Sequence, residues 1–166
     1  VLYLHQKDKP YIIEEAAVVD GYVPGQKVEF TMTQENGLDN PAKVEFVNKP
    51  TAIELTKTDS YDEQPMAVGF KVVGADGKAT KFTKLESGEY RCSAEGEEVI
   101  HTGEDGKLKV MYLPLGNAPY SFEEAEKPAG YGIAEPVKAE LKDENTYEKP
   151  LLVAVKNTPL ALELFK

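Results

Sequence analysis

The chain repeats itself. Residues 1–24, "VLYLHQKDKPYIIEEAAVVDGYVP", align without a gap with residues 110–133, "VMYLPLGNAPYSFEEAEKPAGYGI", at a constant offset of 109. Tyr3 falls on Tyr112, Pro10 on Pro119, Tyr11 on Tyr120, Glu15 on Glu124, and Gly21 and Tyr22 on Gly130 and Tyr131. The same offset pairs Glu35 and Asn36 with Glu144 and Asn145, Pro41 with Pro150, Asn48 with Asn157 and Pro50 with Pro159. It carries on into "TAIELTK" (51–57) above "LALELFK" (160–166). Self-similarity at a fixed period marks a repeated structural unit. The expected organisation is therefore the C-terminal half of one unit (1–50), one complete unit (51–159) and the first strand of a following unit (160–166). The joints are short, "NKP" and "NTP", and such proline-bearing connections favour a stiff rod. Val1 follows no leader-like segment, so the chain reads as a piece of something longer.

Turn pairs are dense along the chain: "DG" at 20–21, 76–77 and 105–106, "NG" at 36–37, "SG" at 87–88. Between them lie short alternating runs such as "GFKVV", "KLKVMYL" and "LLVAV", and no segment carries a ten-residue stripe of helical period. The fold class expected is all-β, an antiparallel β-sandwich of immunoglobulin-like type in tandem repeats. "EEAEK" (123–127) has helical composition, but it follows a strand pattern and runs into Pro128, so it is assigned to a strand end and loop. A hydrophobic share of 41% permits a packed core. The net charge of −10 argues against nucleic acid and anionic membrane surfaces as partners. No apolar run reaches the roughly 18 residues a membrane span needs.

In a strand, side chains alternate between faces. Ile53, Leu55 and Lys57 then share one face, as do Tyr120, Phe122 and Glu124, and Leu151, Val153, Val155 and Asn157. An amine, a carboxyl and a carboxamide each finish an inward apolar stripe. The flanking segments echo the pattern in Tyr11–Ile13–Glu15, in Val44–Phe46–Asn48, and in Leu160–Leu162–Leu164–Lys166. Burying an unpaired charge is costly, so the three groups are expected to meet. Burial disfavours the charged form of each, so amine and carboxyl can share the site uncharged. A neutral amine is a nucleophile, and a protonated carboxyl polarises a carbonyl and carries protons. The reaction expected is attack of Lys57 on the side-chain carbonyl of Asn157, with Glu124 as general acid and base. Ammonia leaves and an amide remains.

The combination of "ELTKTD", "QPMAVGFKV", "PYSFEEAEKPAGY" and "LLVAVKNTP" resembles the Cna B-type (SpaA-type, prealbumin-like) domain of Gram-positive pilins and surface adhesins. The stretch from Tyr120 to Tyr131 resembles that family's E-box, Y-x-[LF]-x-E-x-x-x-P-x-G-Y, at Tyr120, Phe122, Glu124, Pro128, Gly130 and Tyr131. The resemblance covers 51–159 and, more weakly, 1–50, where Val19 takes the E-box proline position. It implies a prealbumin-like sandwich with an intramolecular isopeptide bond between Lys57 and Asn157, catalysed by Glu124. It also implies an extracellular fibre on the cell wall or pilus of a Gram-positive bacterium. The partners implied are neighbouring units or fibre subunits, with no cofactor.

Other readings are weaker. Lys57 alone could be a strand-end lysine reaching solvent. Glu123 and Glu124 face opposite sides of a strand and cannot flank one glycosidic bond. His5 and His101 lack ligand spacing, and no metal site is expected. Cys92, the only cysteine, excludes an internal disulfide and reads as a half-buried residue. "GADGK" and "GEDGK" read as hairpin turns, and Tyr112, Tyr120 and Tyr131 as core and corner packing. No enzyme is expected apart from the single-turnover self-crosslinking. The alternative function is an adhesin module that binds a host protein or glycan through its loops, for which 84–103 is the best candidate insertion.

Overall fold

The computed structural model of the protein describes residue 4 and residues 9–165. Dense turn residues break the chain into short strands, whose alternating side chains then sort into a core face and a solvent face. β1 (Tyr11–Ile13) and β2 (Val28–Phe30) form a small antiparallel sheet. They are followed by β3 (Ala52–Asp59), β4 (Gly69–Val73), β5 (Phe82–Lys84), β6 (Tyr90–Cys92), β7 (Val99–His101) and β8 (Lys107–Met111). After a short 3-10 turn at Leu115–Asn117 come β9 (Tyr120–Glu124), β10 (Val137–Ala139) and β11 (Leu151–Asn157).

One sheet has the order β10-β9-β4-β7 and the other β11-β3-β8-β6-β5. Their inner faces close one core, with Phe70, Val72, Ile100 and Phe122 from the first and Ile53, Leu55, Val110 and Val155 from the second. The fold is therefore an all-β sandwich. The pairings are antiparallel except β11 on β3 and β6 on β8. A parallel pair cannot be joined by a tight turn. Here seven strands lie between β3 and β11 in the chain, yet the two end as neighbours.

Burial follows the pleat. In β3, Ile53, Leu55, Lys57 and Asp59 are buried while Glu54, Thr56 and Thr58 are half-buried. In β11, Val153, Val155 and Asn157 are buried while Leu152, Ala154 and Lys156 are exposed. The stretch 123–127 is a strand end and loop, since β9 stops at Glu124. The stretch 84–103 is not a protruding insertion. It carries β6 into the five-stranded sheet and β7 into the four-stranded one, with Tyr90 and Ile100 in the core. Its acidic composition concealed two runs too short to show a clear alternation.

Residues 9–50 have a half-open inner face. Ile13, Phe30, Val44 and Phe46 are only half-buried, and residues 44–48 alternate in burial without forming a strand. This segment meets the 51–159 unit through a bonded joint. The Thr51 N–H donates to the Gly21 carbonyl (3.0 Å), and Val23 N–H donates to Lys49 O (2.9 Å). The buried Thr51 hydroxyl lies within hydrogen-bonding distance of Leu113 O (2.8 Å) and Gly21 O (3.2 Å). Tyr22 stacks edge-on against Tyr112.

Gly21 and Gly130 have nearly the same backbone, φ +83° and +85°. A Cβ on Gly21 would stand 2.6 Å from the Tyr112 carbonyl oxygen, whereas a Cβ on Gly130 meets nothing within 4 Å. Gly130→Ala is expected to cost only the left-handed strain, about 1–2 kcal/mol. Gly21→Ala is expected to cost more and to expose the Thr51 amide, because backbone cannot step aside as a flexible side chain does. Denaturant unfolding and hydrogen exchange at Thr51 check both.

Candidate functional site

Lys57, Glu124 and Asn157 come together at one end of the core. Lys57 projects inward from β3 and Asn157 from β11, in adjacent parallel strands whose register pairs Lys57 with Val155 and Asp59 with Asn157. The two side chains are thus one inward step apart on the same sheet face. Glu124 comes from β9 in the facing sheet, where it lies opposite Phe70 of β4. Lys57 and Asn157 are wholly buried, and the Glu124 side chain is 1% exposed.

The Lys57 Nζ lies 3.6 Å from Glu124 Oε1. It also donates to Thr58 O (3.3 Å) and lies 3.9 Å from the Met66 sulfur. Asn157 Nδ2 donates to Glu124 Oε2 (3.0 Å) and to Gly132 O (2.6 Å), and Glu124 Oε2 also accepts from the Ala134 N–H (2.9 Å). Glu124 is thereby aimed at both partners. Two buried atoms, Glu124 Oε1 and Asn157 Oδ1, have no hydrogen-bond partner among the described residues. An unsatisfied buried polar atom is costly. The nearest neighbour of Glu124 Oε1 is the Lys57 amine.

Burial pushes the Lys57 amine below its ordinary value, opposed by the attraction of Glu124 and, more weakly, of Asp59. An amine with a lowered folded pKa holds its proton less tightly than the unfolded chain does. Stability should therefore rise with pH up to the ordinary value of 10.5. In Asn157→Ala, which keeps an unreacted amine, urea midpoints are expected to climb over that window. The climb is expected to flatten when Lys57→Met is added.

The E-box residues build the frame. Phe122 and Tyr120 are buried, and the Tyr120 hydroxyl donates to Pro114 O (2.7 Å). Pro128 to Tyr131 is a turn closed by Tyr131 N–H to Pro128 O (3.2 Å), with Gly130 at the position that requires positive φ. Residues 19–22 make the same turn (3.1 Å) with Val19 in the proline's place. The glycine, not the proline, carries the requirement. Sequence reasoning missed Asp59, the next inward residue after Lys57. It accepts hydrogen bonds from the Tyr131 hydroxyl (2.6 Å) and the Tyr61 N–H, which hold its carboxyl below the usual carboxylate range. Continuing the alternation by two residues would have found it. The backbone partners at Gly132 and Ala134 leave no side-chain signal.

The same arrangement recurs 109 residues earlier. Asn48 Nδ2 donates to Glu15 Oε1 (2.9 Å), and Glu15 Oε2 accepts from the Gly25 N–H (2.8 Å). The Gly25 amide and, next, Asn48 lower the Glu15 carboxyl pKa. Asn48 Oδ1 again has no hydrogen-bond partner among the described residues. Glu15 has no ion pair among the described residues, and Lys166, the lysine equivalent in the following segment, lies outside them, as does His5. β1 pairs with β2 in the register in which β9 pairs with β10. His101 is exposed, and Cys92 is half-buried with its thiol pushed up by burial. Among the described residues no group of three or more His, Cys, Asp or Glu is placed to hold a metal, and no helix is long and apolar enough to cross a membrane.

No curated protein matches the sequence. Among solved structures, the shaft pilin SpaA from Lactobacillus rhamnosus GG is similar with a TM-score of 0.52 and 17% identity, over 93% of this chain and 66% of that one. The chain thus spans a little under two thirds of that pilin's length. The C-terminal domain of the same pilin gives a TM-score of 0.51 at 17% identity, over 66% of this chain and 98% of that one. GBS52, the minor pilin of Streptococcus agalactiae, gives 0.55 at 14% identity, over 87% and 70%. At these identities the likeness is one of fold. The family model for the SpaA prealbumin-like fold domain matches residues 51–152, more than half of the chain. The chain belongs to the family of SpaA-type prealbumin-like domains.

Proposed function

We propose that this chain is a stalk segment of an extracellular pilin-type fibre on a Gram-positive cell surface, built of tandem units. Its complete unit locks itself with an amide between Lys57 and Asn157. The observation that carries the reading is the buried contact of Glu124 with both an amine and a carboxamide on neighbouring first and last strands.

Lys57 passes its proton to Glu124 as the reaction begins, so that the amine attacks uncharged. The Lys57 Nζ lone pair then adds to Cγ of Asn157. Glu124 gives its proton to Nδ2 and takes one from the attacking nitrogen. The Cγ–Nδ2 bond breaks, ammonia leaves, and the Nζ–Cγ amide remains. Both groups are held against Glu124 in one fold, so the step is intramolecular. The product has no buried amine to ionise, and the hydrogen bonds of the 109-residue echo at Glu15 and Asn48 support a unit that is repeated.

Intact mass tests the reading. The folded chain is expected one ammonia lighter than its sequence, and Lys57→Ala, Glu124→Ala or Asn157→Ala is each expected to abolish that deficit. A folded chain at full mass sinks it.

A further inference from the structure

One end of the 51–159 unit carries a groove between residues 132–137 and 154–158, beside the exposed Ile133. Every position lining it except Ala134 corresponds, 109 residues earlier, to a position lining the groove between residues 23–28 and 45–49. The next unit closes one side of that earlier groove. Asp143, Glu144 and Thr146 of the next unit form its remaining wall. Between the same two segments Lys49 pairs with Glu148 (3.5 Å), and Tyr147 N–H donates to Pro50 O (3.1 Å).

The chain also leaves the two grooves in the same way. Thr51 N–H donates to Gly21 O (3.0 Å), and Leu160 N–H donates to Gly130 O (2.8 Å). Val23 N–H donates to Lys49 O (2.9 Å), and Gly132 N–H donates to Thr158 O (3.0 Å). The bonds that aim the 51–159 unit onto the first groove are therefore already made at the second. The empty space beside Gly130 matches the place that the Tyr112 backbone fills beside Gly21.

We propose that the groove at 132–137 and 154–158 is a docking surface for the tip of a further unit of this fold, carried on the strand that starts at Leu160. The occupant presents an acidic turn like 142–147 and a corner like Tyr112. Each joint then repeats the geometry of the one before, a head-to-tail contact that does not close and so extends a filament. The inference rests on the repeated-unit reading above and not on the crosslink.

The test is thiol labelling in a Cys92→Ser background. Val23→Cys reports the existing joint, where Val23 is buried. Gly132→Cys reports the free groove, where a Cβ meets only Thr158 O at 3.9 Å. In the 166-residue chain Val23→Cys is expected to label slowly and Gly132→Cys fast. In a longer chain with residues 51–159 repeated directly after Pro159, Gly132→Cys is expected to label about tenfold more slowly, because the joint must open first. Adding Gly130→Ala there is expected to restore fast labelling. Equal Gly132→Cys rates in the two chains, or fast labelling of Val23→Cys, would overturn the proposal. Protection of the shorter chain that grows with its concentration would overturn it in favour of docking between separate copies. Separate thermal transitions show that each unit has folded. The ammonia deficit is read on the same samples, and its absence would remove the crosslink while leaving the joint.

Discussion

Asn157→Ala is expected to lower the melting temperature of the 51–159 unit by on the order of 20 °C. The proposed crosslink would close a loop of roughly 100 residues, and by analogy with a disulfide it would restrict the unfolded chain by about 4–5 kcal/mol. A domain of this size shifts by about 4–8 °C per kcal/mol. The substitution also removes the Asn157 hydrogen bonds to Glu124 and Gly132, which adds to the loss. Calorimetry on protein checked for mass measures the shift, and an unchanged transition would mean that no covalent closure exists. The same geometry bears on tension. Force entering at Thr51 and leaving at Pro159 would, with the proposed Lys57–Asn157 amide in place, pass through that bond and not only through the pairing of β3 with β11. The proposed bond would thus take the place of the internal disulfide that a chain with one cysteine cannot form.

The second large effect concerns the buried amine itself. Glu124→Gln keeps the side chain's shape but removes both the proton carrier and the counter-charge of Lys57. Removing one partner of a buried ion pair costs about 3–5 kcal/mol, whereas replacing the charge with an apolar group of similar volume is close to neutral. The double variant Lys57→Met/Glu124→Gln is therefore expected to be more stable than Glu124→Gln by about 3–5 kcal/mol. Neither variant forms the crosslink, so the comparison isolates the amine. Urea midpoints at unchanged slope measure it. A double variant no more stable than the single would show that Lys57 is solvated in solution.

Lys57, Glu124 and Asn157 were legible in the sequence because a strand's pleat puts every second residue on one face. An apolar stripe that ends in a polar residue therefore declares itself. The turn at 19–22 was legible from its Asp20–Gly21 pair, whereas its counterpart at 128–131 holds Ala129–Gly130 and carries no such pair. Asp59 lay within reach of the same rule, two residues on. The role of 84–103 was not, because three-residue strands carry too little alternation to be told from acidic loops.

The sequence by itself determined which face each polar side chain takes and that the pattern recurs at 109 residues, since both depend on neighbours along the chain. Only the tertiary structure decided that β3 and β11 lie side by side in parallel, that Glu124 reaches them from the opposite sheet, and that backbone groups of Gly132 and Ala134 complete the site. Alternation encodes a side chain's direction but not its partner. The partner depends on pairing between segments about a hundred residues apart, which the packing of the whole core settles.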